Sequence, residues 1–327
     1  MKEKVIVITT INELTQAVTD FLTYCPEYEI VLVGDKKSKA IAQQDQLHFL
    51  SVESQQKLPF ATAEHLPYNH YGRKNIGYLW SLQQGASLIY DTDDDNLPYE
   101  HWKFPSFEGQ HEMIEGDQFC NIYRYYTDEF IWPRGFPLEK IKNENSRVSD
   151  QKNCTIGVWQ GLADFDPDVD AIFRLLYDNK NVKFNQRDPL VLEQGTYCPF
   201  NSQNTLWNRG MIPYAYLPVT VTFRFTDILR GIIAQRCFWE HGCNLGFTQA
   251  TVYQERNVHN LLADFESEIP CYLEISKLVQ ILNDLPLNQD FEHNLLTVYS
   301  ALIKNRLAQP EELDIVKHWI HDIQQFF

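Results

Sequence analysis

The stretch Ser87-Leu88-Ile89-Tyr90-Asp91-Thr92-Asp93-Asp94-Asp95-Asn96 joins a short apolar run to four carboxylates within five residues. The apolar part has the length and character of a buried strand. Like charges crowded at a strand end repel one another, an arrangement that makes sense when a cation sits among them. Mg2+ and Mn2+ prefer carboxylate oxygens, and when held this way they also bind phosphate oxygens. The stretch therefore predicts a metal–diphosphate site at the carboxyl edge of a sheet.

Upstream, Val5–Thr10 is a β-branched run and reads as the first strand. Asn12 can cap a helix whose apolar face is Leu14, Ala17, Val18, Phe21 and Leu22. Glu29–Gly34 and His48–Val52 read as further strands. A β-α-β opening predicts parallel strands and a ligand crevice at their carboxyl ends, where Thr9, Thr10, Asn12 and Asp35 lie. The helix leading into the aspartates begins Arg73-Lys74-Asn75. Cations in a first turn oppose the helix dipole, so they suit a held diphosphate better than they suit stability.

Downstream, residues 97–150 read as an irregular aromatic excursion that could cover the site. Thr155–Gln160 returns to strand, and Asp166-Pro167 is expected to start a helix carrying Val169, Ile172, Phe173 and Leu176. Cys198–Trp207 is a strand and turn loaded with amides. Thr226 is expected to cap a helix from Asp227 to Trp239 that stops at Gly242, and Phe247–Gln254 reads as the last strand. From about Cys271 the periodicity is helical, with breaks at Leu285-Pro286 and Gln309-Pro310. The division expected is a catalytic unit over 1–270 and a helical appendage over 271–327. The terminal stripe of Ile315, Trp319, Ile320, Ile323, Phe326 and Phe327 suits core or homodimer packing.

The chain has 28 Lys and Arg against 44 Asp and Glu, a formal charge of −16 that disfavours nucleic acid and anionic lipid as partners. Seven scattered cysteines include no CxxC pair and predict reduced thiols in a cytoplasmic protein. No apolar run is long enough for stable membrane insertion. An EF-hand loop starting at Asp91 would need Gly at its sixth position and Glu at its twelfth, where Asn96 and Trp102 stand. An aspartyl phosphotransferase would place its D-x-D-x-[TV] motif near the first strand, and here Asp95 occupies the fifth position.

The run YNHYGRKNIGYLWSLQQGASLIYDTDDDN, Tyr68–Asn96, resembles the core of the STELLO-type glycosyltransferases. Their opening VVTTIN-like strand is matched by Ile6–Asn12 and their VGDKK-like turn by Val33–Lys37. RFTDILRGIIAQRCFWEHG, Arg224–Gly242, resembles the family's aspartate-bearing segment before a W-R-G-Y-type helix. More distantly, Ile156–Asp168 and Tyr197–Trp207 are similar to segments of the reversibly glycosylated polypeptides, which act as UDP-arabinopyranose mutases. The matches run from Val5 to His259.

The resemblance implies an α/β, GT-A-type (Rossmann-like) fold with a mixed central sheet, a UDP-sugar donor and a glycan or lipid-linked acceptor. It implies that Asp93 and Asp95 hold Mn2+ or Mg2+, with Asp91 and Asp94 adjacent. Thr9, Thr10, Asn12 and Asp35 would line the nucleoside pocket, while Arg73 with Lys74 and Asn75 would approach the diphosphate. Asp227 matches the position of the base in inverting enzymes of this fold. Mutase-like relatives carry a metal-binding histidine after the last strand; Tyr253 and Gln254 stand there, and His259 follows as the candidate third ligand. The mutases also have Arg directly before the Asn, where this chain has Lys74, so ring isomerisation is the alternative to transfer. A non-catalytic sugar-nucleotide-binding partner is the other.

Overall fold

The computed structural model describes residues 2–143, 145–177, 181–254 and 260–327. Lys4–Thr10 (β1), Gln16–Tyr24 (α1), Glu29–Gly34 (β2) and Leu47–Leu50 (β3) form the opening β-α-β layer. Short helices Val52–Gln55 (α2) and Ala61–His65 (α3) lead to Lys74–Gln83 (α4) and the aspartate strand Leu88–Asp93 (β4). Then come Asn96–Pro98 (β5), Glu108–Glu115 (β6), Arg147–Asp164 (β7), Ala171–Leu176 (α5), Leu190–Leu192 (β8) and Asn204–Asn208 (β9). Thr226–Glu240 (α6) and Cys243–Gln254 (β10) complete the sheet region. Leu261–Asn283 (α7), Phe291–Lys304 (α8) and Glu312–Ile323 (α9) close the chain.

Among the described residues the strands form one mixed sheet in the order β3-β2-β1-β4-β9-β7-β6-β8-β10-β5, with β7 also pairing β10. The first four strands are parallel, and β9 turns the sheet antiparallel against both β4 and β7. Alternation along β1 explains its unbroken apolar run, because both faces are covered. Ile6 and Ile8 pack towards Val18 and Phe21 of α1, while Val5 and Val7 pack with Ile76 and Leu79 of α4. The second face continues into the C-terminal helices, whose Leu278, Val298 and Trp319 share that core.

Several local expectations are corrected. Thr15, not Asn12, caps α1, its hydroxyl accepting from Val18 N. Asp170, not Asp166, caps the helix after β7, accepting from Phe173 N at 2.7 Å. Thr226 makes no cap; its hydroxyl donates back to Thr222 O at 3.3 Å, and Phe225 precedes α6. In each case two cap-competent or helix-compatible residues lie within a turn, and tertiary packing chooses between them. β4 runs to Asp93, so Asp91 and Asp93 belong to the strand itself. The 97–150 segment contains β5, β6 and the start of β7. Helical structure resumes at Leu261, ahead of Cys271, and α7 runs unbroken through Pro270. Trp319, Ile320 and Ile323 of the terminal stripe are buried in the core. No described helix is long and apolar enough to cross a membrane.

Candidate functional site

Register places Thr9 beside Asp93 and Val7 beside Asp91 where β1 meets β4. Period-2 alternation puts Asp91 and Asp93 on one face of the strand. Asp91 is fully buried, 2.7 Å from Lys74 Nζ and 2.9 Å from Arg230 Nη1. Lys74 Nζ also donates to Asp93 at 3.1 Å. Burial works against both cations, yet Asp91 and Asp93 outweigh it at Lys74, and Tyr78 with Asp91 outweighs it at Arg230, so both are held above their ordinary values. Asp93 is half-buried. Its burial, helped by the like charges of Asp95 and Asp91, outweighs Lys74 and pushes the carboxyl up to about 7.

The remaining carboxylates of the turn have separate partners. Asp94 accepts from Thr10 Oγ1 and, at 3.0 Å, from Asn12 Nδ2. Asp95 accepts from Gln254 Nε2 at 2.8 Å, and its carboxyl is raised chiefly by burial. Asn12 thus serves the acidic turn rather than the helix. Asp35 shapes its own loop, accepting from Lys36 N at 2.7 Å and His70 N at 3.2 Å.

Thr9, Thr10, Asn12, Lys74, Asp93 and Asp95 therefore share one edge. Two neighbours of Lys74 point elsewhere. Arg73 is buried, donating to Gln55 Oε1 and, at 3.2 Å, to Leu66 O, with Tyr68 stacked 4.3 Å from its guanidinium. Asn75 exchanges two hydrogen bonds with the Leu217 backbone. Both brace the helix start, so their expected approach to a diphosphate is not what this arrangement provides. His259 lies outside the described residues. Among the described residues no three His, Cys, Asp or Glu side chains converge as a ligand set. The donor chemistry at Asp93 and Asp95 nonetheless fits a hard dication: both carboxyls are raised by burial, which bound positive charge would offset.

Asp93 also lines a narrow cleft of about 100 Å³ with Asp227, Asp168, Arg134, Arg224, Asn201 and Gln254 among its walls. Arg134 lies between two carboxylates. It donates to Asp168 twice at 2.8 Å, and to Asp227 at 3.0 and 2.8 Å. Despite its burial, the arginine pulls Asp168 below the usual carboxylate range. Asn201 Nδ2 adds a bond to Asp168 at 2.8 Å, and Gln203 reaches Gln254 at 2.6 Å. The amide-loaded Cys198–Trp207 segment thus furnishes one wall.

Arg134 and Arg230 carry the weakest sequence signals of the residues that meet here. Arg134 sits in the aromatic excursion, before Gly135, whose φ of +83° makes the turn that delivers it. Arg230 lies one helical turn beyond Asp227, a spacing that could have flagged it as facing the same region.

A mixed α/β fold with an acidic strand end opening on a polar cleft is consistent with a glycosyltransferase. Sequence comparison adds a likeness to one such family. The family model described as STELLO glycosyltransferases matches residues 224–327, a span that includes Asp227 and Arg230. Two Arabidopsis thaliana proteins, "Probable glycosyltransferase STELLO1" and "Probable glycosyltransferase STELLO2", are 27% and 26% identical to it over 298 residues, 84% of this chain. The chain spans 38% and 39% of their lengths. Over that span its sequence is similar to the STELLO glycosyltransferases.

Proposed function

We propose that this chain is a metal-dependent, GT-A-type glycosyltransferase that moves a sugar from a UDP-sugar to a glycan or lipid-linked acceptor with inversion. The observation that supports this most is the placement of Asp93 on both features, the acidic end of β4 and the cleft that contains Asp227. Ligand pockets span roughly 300–1,000 Å³. A cleft of about 100 Å³ cannot enclose a whole nucleotide sugar. The nucleoside would lie along the open rim of Thr9, Thr10, Asn12 and Asp35, leaving the transferred sugar nearest Asp227.

Asp93 and Asp95 would hold Mn2+ or Mg2+, which when bound neutralises the departing diphosphate. Thr10 and Asn12 keep Asp94 turned towards the nucleoside side. Lys74 fixes Asp91 and Asp93 in relation to each other. Asp227 would take the acceptor hydroxyl proton on a carboxylate oxygen, exchanging a hydrogen bond with Arg134 for one with the acceptor. Asp168, sharing the same guanidinium, keeps Arg134 from being left unpaired during that exchange.

Incubation with Mn2+ and a panel of nucleotide sugars tests the reading. UDP release supports transfer. Ring-isomer conversion without UDP release would mean a mutase, and binding without turnover a sugar-nucleotide-binding protein. Asp93→Asn and Asp95→Asn should abolish Mn2+-dependent UDP binding. Asp227→Asn should stop transfer while donor binding stays intact; unchanged transfer would remove it as the base.

A further inference from the structure

A second concavity, about 620 Å³, runs along β10 and is walled by residues 101–105, β6 and the turn before β8. Its size falls in the range of ligand sites. Its charge is the first clue. Lys103 and Arg187 are balanced by Glu112 and Asp188, two cations against two anions, in a chain of net charge −16. Arg187 is moreover paired with Glu112 at 3.0 Å. Such a wall has no field to attract a diphosphate or any other polyanion.

Its chemistry is the second clue. Gln110, Gln151 and Gln249 supply amides, each able to donate and accept, and Phe104 supplies an aromatic face. His111 also lines the groove. Burial lowers the ring's pKa and favours the neutral imidazole, and its Nε2 has no hydrogen-bond partner among the described residues. Amides, balanced charges and an aromatic face together suit a ligand that is uncharged, rich in hydroxyls and apolar on its ring faces.

Position is the third clue. Thr251 lines the groove, and Gln254 on the same strand lines the cleft, roughly 10 Å further along at ~3.3 Å per residue. An aromatic ledge spans the interval: His101 stacks on Tyr99 at 5.3 Å, and Tyr99 meets Tyr253 at 5.2 Å.

We propose that this groove binds a neutral saccharide chain, with the end nearest Gln254 presented to the cleft as acceptor. The acceptor role rests on the transferase reading above; saccharide binding in the groove does not.

The test uses the full chain with neutral tetrasaccharides of glucose, mannose and xylose, by saturation-transfer NMR and calorimetry. At least one should bind. Phe104→Ala should weaken that binding roughly tenfold, on the scale of a lost aromatic contact. The paired change Gln110→Ala with Gln151→Ala, at two exposed positions that the core does not need, should weaken it roughly fivefold. UDP affinity in Mn2+ should stay unchanged in both. Absence of binding by every tetrasaccharide at millimolar concentration would overturn the proposal. So would binding that ignores the groove changes and disappears in Asp227→Asn. If saccharides bind the groove but UDP binds nowhere, the transferase reading fails and the groove assignment stands.

Discussion

Lys74 and Asp91 form a fully buried ion pair 2.7 Å apart, and the same ammonium donates to Asp93 at 3.1 Å. Removing one partner of such a pair leaves a charge in the interior, which costs about 3–5 kcal/mol. Arg230 remains on Asp91 in a Lys74→Met variant, so a loss near the lower end, about 3 kcal/mol, is expected by urea unfolding. A loss under about 1 kcal/mol would mean that Lys74 is not the counter-charge described here.

Arg73, one residue earlier, should behave differently. Its partners are Gln55, the Leu66 carbonyl and the Tyr68 ring, none of them in the acidic turn. Arg73→Met should lower stability by about 1–3 kcal/mol while Mn2+-dependent UDP affinity stays within about twofold. A large loss of UDP affinity without destabilisation would restore the arginine to the diphosphate.

Asp170 gives a pH dependence of known sign. Burial pushes its carboxyl up to about 6, against the help of the Phe173 N–H and Trp132 Nε1–H, and Glu268 adds to the rise. The folded chain therefore keeps this proton to higher pH than the unfolded chain does. Stability from this group falls as pH rises from about 4 to about 6, by an order of 2–3 kcal/mol. Asn caps helices as well as Asp, so Asp170→Asn should remove that slope with the helix intact. Parallel denaturation curves for both proteins at pH 4, 5, 6 and 7 check it; identical slopes would contradict the burial argument.

Gly231 lies in α6 one residue after Arg230, and a Cβ there would sit 2.4 Å from the Phe200 carbonyl oxygen. Backbone does not yield as a side-chain tip does. Gly231→Ala should cost about 1–3 kcal/mol despite alanine's better helix propensity. It should also disturb the neighbouring Asn201, which binds Arg230 and Asp168. A thermal melt unchanged from the parent would show that the loop moves freely.

The parts legible in sequence were those coded by local pattern. Val5–Thr10 and Glu29–Gly34 are β-branched runs buried on both faces, and the aspartates follow an apolar strand. Lys74 was recognisable because a cation in a first turn opposes the helix dipole and so calls for a nearby negative group. What escaped depended on long-range meetings. Arg134 finds Asp227 across 93 positions, and Arg230 finds Asp91 across 139. Neither has a periodicity. Arg73, Lys74 and Asn75 looked equivalent as letters, yet successive helical positions point in different directions, so only one of the three faces the acidic turn. The caps failed for a related reason: Asn12 and Thr15 are both good cap residues, and the demand of Asp94 for a donor decided which was used.

Glu312 of α9 accepts from the Tyr216 hydroxyl and the Val219 and Thr220 amides, and Asp322 receives the first amides of α3. These groups lie far from the α9 carboxylates in sequence, Ala61 by 261 positions. Any partly folded state that lacks α9 leaves those amides without their carboxylates, so the start of α3 and the Tyr216–Thr220 segment settle only together with α9.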